Sequence, residues 1–199
     1  MTTDREVVLG VVLLCTAGSL ALTQDGRDAT ARACHIAWRQ LTELPSDPPP
    51  GIRQKNWTGW TGGSCMNASW MTHLRWNGMP EVADWWGQHY SGRAGVQATA
   101  RRCDQAGIKY ACTEGQKDVE FLEWASRTRR GAVIYYFDDH AVNFLGYRDG
   151  RAWVLDNNDP RKYISIPKDE FLGNWCAYNS GAITVISSPP SPLGWTTKR

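Results

Sequence analysis

The stretch Gly63-Ser64-Cys65-Met66-Asn67-Ala68-Ser69 decides how this chain is read. Two small loop-forming residues precede a cysteine, and residues compatible with a helix follow it. Cys65 therefore falls on the first turn of a helix predicted over residues 65–76. The helix dipole there favours negative charge, and the first backbone N–H groups have no carbonyl partner within the helix. A thiolate forms more readily in that setting, and the thiolate is the attacking species.

Downstream, Asp138-Asp139-His140-Ala141-Val142 places a histidine at the head of a predicted strand. One hairpin later comes Asp156-Asn157-Asn158. Cysteine, histidine, then Asn or Asp is the order of a thiol nucleophile, its base and the group that orients the base. The turn between the strands decides which residue orients. A two-residue Asp149-Gly150 turn sets Val142 opposite Asn157, which then shares a face with His140. A three-residue Arg148-Asp149-Gly150 loop sets Val142 opposite Asp156. Both suit the sequence, with a slight preference for Asn157. For the second oxyanion donor, Gln54 ranks ahead of Asn56; both lie upstream of the thiol in a loop able to fold over it. His73 is on the same predicted helix as Cys65, two turns on, and cannot fold back to it.

With 199 residues there is room for one well-filled domain. A net charge of +2 with scattered basic residues gives no reason to expect a nucleic-acid partner. Residues 1–23 carry an apolar run that reads as an export signal, too short and interrupted for a comfortable membrane span. A secreted or cell-envelope protein, without stable membrane insertion of the mature domain, is the expectation. Residues 24–51 read as a helix and a Pro-rich linker, 52–187 as the catalytic domain, and 188–199 as a loose tail. Without Cys15 of the signal, five cysteines remain. An odd count leaves one thiol free. Cys103 with Cys112 and Cys34 with Cys176 are possible disulfides; four buried reduced thiols are the equal alternative.

The pattern along residues 52–187 is helices first (65–76, from Pro80 through Trp86, 96–106, 118–129), then strands (132–137, 140–147, 151–155, 163–166, 181–187), with a short strand at 108–112. That order predicts an α+β domain with the cysteine-bearing helix against an antiparallel sheet and the site in the groove between them. Of the eleven tryptophans, six lie around the nucleophile; Trp70 and Trp76 read as core, whereas Trp57 and Trp60 fit core or groove. No phosphate-binding loop, zinc spacing or His-Glu-x-x-His is present, and the thiol chemistry needs no cofactor or metal.

Gly-Ser-Cys-Met-Asn-Ala-Ser at 63–69, His-Ala-Val-Asn-Phe-Leu-Gly-Tyr at 140–147 and Val-Leu-Asp-Asn-Asn at 154–158 together resemble the papain-like cysteine peptidases. They are similar both to papain and to the bacterial double-glycine leader peptidases. The resemblance covers roughly residues 54–158, with 181–185 as a closing strand. It implies a papain-like fold and a thiolate–imidazolium pair of Cys65 and His140, with Asn157 or Asp156 as orienter and a peptide or protein as substrate. The family's oxyanion glutamine stands a few residues before the cysteine, where this chain has Gly59; carrying that role to Gln54 takes a longer loop. Papain's Asn-Ser-Trp-Gly is replaced here by Asn158-Asp159-Pro160 after Asn157. The same dyad also serves amidases and acyltransferases, and a papain-like fold without activity would hold peptides or glycans in its groove.

Overall fold

The structure is a computed structural model and describes residues 44–57, 63–136 and 140–186. The apolar N-terminal run, the expected helix as far as residue 43, the tail from residue 188, Cys34, Trp60 and the Asp138-Asp139 corner lie outside the described residues.

Six strands form one antiparallel sheet in the order β1-β6-β2-β3-β4-β5. They are β1 (Tyr110–Thr113), β2 (Ala132–Tyr135), β3 (Ala141–Arg148), β4 (Arg151–Leu155), β5 (Tyr163–Pro167) and β6 (Ala182–Val185). Five α-helices are described: α1 (Cys65–Trp76), α2 (Pro80–His89), α3 (Val96–Ala106), α4 (Val119–Arg127) and α5 (Lys168–Ala177). The protein is thus a mixed helix and antiparallel-sheet domain, as the α+β reading expected.

Alternation along the strands divides the core in two. Val133, Ala141, Ile183 and Val185 point to one face and pack with Met66, Trp70 and Leu74 of α1, Trp86 of α2 and Cys103 of α3. Ile134, Val142, Phe144 and Val154 point to the other and meet Phe121 and Leu122 of α4 and Phe171 and Trp175 of α5. Both faces of the central strands are covered, which is why 132–134 reads as an unbroken apolar run and 141–145 as one broken only by Asn143, whose Nδ2 donates to Ser69 O at 3.0 Å.

α1 is the central helix: every residue but Arg75 is buried. Its polar residues Asn67, Ser69 and Thr72 are there because each has a partner. Asn67 binds the Trp86 indole and the Gly92 carbonyl, Ser69 bonds to Ala141 O, and Thr72 Oγ1 accepts from Gln54 N–H. Buried polar groups without such partners would cost about 1–3 kcal/mol each.

Two local features depart from the sequence expectation. α5 carries no strong periodic signal; only Phe171 and Trp175, one turn apart, are buried in it, and Gly173 is a poor helix former within it. The stretch 44–48, expected to lead into a linker, belongs to the core. Leu44 packs with Leu145 and Leu155, and Ser46 N–H donates to Leu145 O at 2.8 Å.

Candidate functional site

The β3–β4 hairpin sets the geometry. Arg148 pairs with Arg151, so the turn is the two-residue Asp149-Gly150, with φ of 53° and 69°. Positive φ at both positions matches the right-handed twist of the strands. By itself this turn would carry Asn157 to the face of His140. The register then shifts by one between Phe144 and Gly146, so Phe144 lies opposite Val154 and Asn143 opposite Leu155. Continued past the strand end, Val142 faces Asp156. A β-bulge thus delivers the carboxylate, with the turn that had favoured the amide.

Asp156 Oδ1 is 2.8 Å from His140 Nε2. With that nitrogen committed, Nδ1 is left for the sulfur of Cys65, to which the ring is hydrogen-bonded. The backbone N–H of Ala141 also reaches Cys65 Sγ, at 3.5 Å. Burial pushes the Cys65 thiol up. The bonds from His140 and Ala141 and the ring's positive charge outweigh it, and the thiol falls below its ordinary value. Burial likewise opposes charge on His140, but the bonds to Asp156 and Cys65 and the two negative charges raise it to about 9. Asp156 is itself below the ordinary carboxylate value: burial raises it, and His140 and the Asn158 N–H more than offset that. The arrangement favours a thiolate–imidazolium pair backed by a carboxylate.

Asn157 does not meet the ring. It is buried, and its Nδ2 is shared among Ala141 O at 2.6 Å, Ser69 Oγ at 2.8 Å and Cys65 O at 3.1 Å. It braces the first turns of α1 against the head of β3, which sets the approach of thiol and base. The slight preference for Asn157 as orienter is therefore corrected to Asp156.

Gln54 is not brought to the thiol either. Its N–H bonds Thr72 on α1, two turns from Cys65, or about 10 Å along the axis. Its Oε1 accepts from Arg75 at 3.1 Å, and its Nε2 donates to Lys55 O. The loop 53–56 runs back along α1, so the upstream glutamine meets the far half of the helix. Asn56 is closer, but it serves a different purpose. Its Oδ1 accepts from the Ser64 hydroxyl, its Nδ2 donates to Asn158 Oδ1 at 3.0 Å, and its N–H donates to Asn157 O. The Asn158 amide in turn lies 3.2 Å from His140 Nε2. A polar chain thus runs from Ser64, next to Cys65, through Asn56 to Asn158, whose amide sits beside the His140 ring. Sequence reasoning assigned Asn158 no part; an amide beside the orienter was its only signal. At the start of α1 the Cys65 N–H has no carbonyl partner within the helix.

The remaining described thiols differ from Cys65. Cys103, Cys112 and Cys176 are free, so the Cys103–Cys112 disulfide is not formed. Burial, with the nearby Asp104 and Cys112, pushes Cys103 up to about 12. His73 is buried; its Nε2 accepts from the Val185 N–H at 3.2 Å, and burial holds it down to about 3. Among the described residues no His/Cys/Asp/Glu group is placed to hold a metal ion, and no helix is long and apolar enough to cross a membrane. No protein-family model and no curated protein matches this chain.

Proposed function

We propose that the protein is a papain-like cysteine peptidase. The observation carrying this reading is the line Cys65–His140–Asp156, with the sulfur on the first turn of a buried helix and the base at the head of the adjoining strand. In the reaction the Cys65 thiolate attacks the peptide carbonyl carbon. The carbonyl oxygen becomes an oxyanion facing the Cys65 N–H. As the C–N bond breaks, the His140 imidazolium gives its proton to the departing amine, leaving a thioester. Neutral His140 then takes a proton from water; the hydroxide adds to the thioester, and the carboxylic acid leaves as the thiolate returns. Asp156 holds the ring and stabilises its charged form throughout.

Iodoacetamide at pH 6, followed by mapping of the modified cysteines, tests the pair. Selective labelling of Cys65, lost at least tenfold in His140→Ala, together with digestion of a peptide library that Cys65→Ser abolishes, is the expected result. Uniform slow labelling of all the thiols would sink the reading.

A further inference from the structure

Among the described residues, one basic side chain near the start of α1, Arg93, has no acidic partner. Gly63, two residues before Cys65, has φ of 72°, and any Cβ there would collide with the Arg93 stem, whose Cα would lie 3.2 Å away. Glycine thus lets the Arg93 stem lie against the chain two residues before the thiol. Consecutive Cα atoms are about 3.8 Å apart, so Gly63 is at most about 8 Å from Cys65. That is within the footprint of a peptide residue bound across the sulfur.

The segment carrying Arg93 is fixed on both sides. Asn67 Nδ2, on the same first turn of α1 as Cys65, donates to Gly92 O at 3.0 Å. The Tyr135 hydroxyl donates to Ala94 O. Asn67 is itself held by Arg102, whose Nη1 donates to its Oδ1 at 3.1 Å while the guanidinium covers the Tyr90 ring. Arg102 spends its donors on this support. Arg93 is exposed and makes no hydrogen bond or ion pair among the described residues. Its backbone is anchored and its charged end is uncommitted. An arginine in that state suits a carboxylate, which its planar fork binds through two parallel hydrogen bonds.

We infer that Arg93 is a specificity residue, selecting peptides with an acidic side chain, glutamate or aspartate, next to the scissile bond. The identity of the substrate as a peptide rests on the peptidase reading; the seat of the Arg93 stem on Gly63, two residues before the thiol, does not.

The test uses two readouts on the full chain. The first is the ratio of Cys65 alkylation by iodoacetate to that by iodoacetamide, which reads the charge near the sulfur without any peptide. Arg93→Ala lowers the ratio about two- to fivefold at low salt, and Arg93→Glu lowers it further, as expected for a nearby unit charge that low salt leaves largely unscreened. Both effects shrink at 0.5 M salt. The second readout is a peptide series differing only in Glu, Gln or Lys beside the cleavage site. The wild type favours Glu in kcat/KM, Arg93→Ala loses that preference, and Arg93→Glu favours Lys. An unchanged reagent ratio in both variants overturns the inference, and so do equal rates on the three peptides. If the wild type cuts no peptide at all while the ratio responds to Arg93, the peptidase reading and the acidic-peptide inference fall together; the placement of the charge alone stands.

Discussion

His140 sits between two negative groups and is protonated more readily than an ordinary histidine. The sign of the resulting pH dependence follows. The thiolate forms as pH rises through the lowered pKa of Cys65. The imidazolium is lost as pH rises through about 9. A kcat/KM profile is therefore expected to fall on the alkaline side near pH 9, with both limbs belonging to the coupled pair. Asp156→Asn removes the charge that holds the ring protonated. It should move the alkaline limb to lower pH and lower kcat about 10²–10⁴-fold, the scale of acid–base assistance. Asn157→Ala is expected to act differently. It frees the bonds to Cys65 O, Ser69 and Ala141 and costs stability, but leaves the His140–Asp156 contact intact. A pH–rate series on the two variants separates them. An alkaline limb that stays in place in Asp156→Asn would show that the carboxylate does not tune the base.

At the scale of elements, the bulge in β3 does the deciding. Leu145 is the extra residue, and Gly146 follows it with φ of 131°. A Cβ at Gly146 would meet Pro45 Cγ at 2.6 Å and Ser126 Oγ at 2.9 Å. The same Ser126 oxygen accepts the Tyr147 N–H at 2.8 Å. The bulge is thus clamped between the 44–46 segment and the C-terminal end of α4. Gly146→Ala should cost about 2–4 kcal/mol from positive-φ strain and overpacking. Thermal unfolding would then fall by roughly 5–15 °C. If the variant relieves the crowding by removing the bulge, Asp156 leaves the His140 face and Cys65 loses its fast alkylation. Unchanged melting and unchanged alkylation together would contradict the role given to this glycine.

Across the whole molecule, two histidines, His73 buried and His140 partly buried, respond to pH in opposite senses. His73 is held neutral on α1, with its folded pKa down to about 3, and Arg130 nearby opposes its protonation after burial itself. The unfolded chain binds that proton from about pH 6.5 downward, so stability is lost as pH falls from about 6.5 toward 3. His140 is raised to about 9. Its contribution is fully present below about 6.5 and is lost as pH rises through 9. Their joint contribution peaks near pH 6.5. Melting temperatures measured from pH 6.5 to 5, above the main carboxylate range, should fall in the native chain and flatten in His73→Asn. A slope that survives that substitution would assign the acid sensitivity to other groups.

The sequence by itself determined the pieces. A cysteine after Gly63-Ser64 falls at a helix start because loop formers end there and helix formers begin. Residues 132–135 and 151–155 form strands because β-branched and aromatic side chains favour the pleat. Gly107, at φ 68°, ends α3 where only glycine bends cheaply. These are local effects, written in short windows. Only the tertiary structure decided which acceptor faces His140, because a one-residue shift moves every side chain to the opposite face, and the bulge behind that shift is clamped by Pro45 and Ser126 from distant parts of the chain. The same holds for Gln54, turned along α1 by Thr72 and Arg75, and for Arg93, laid on Gly63 by contacts to Asn67 and Tyr135. Long-range packing chose among arrangements that local preference left nearly equal.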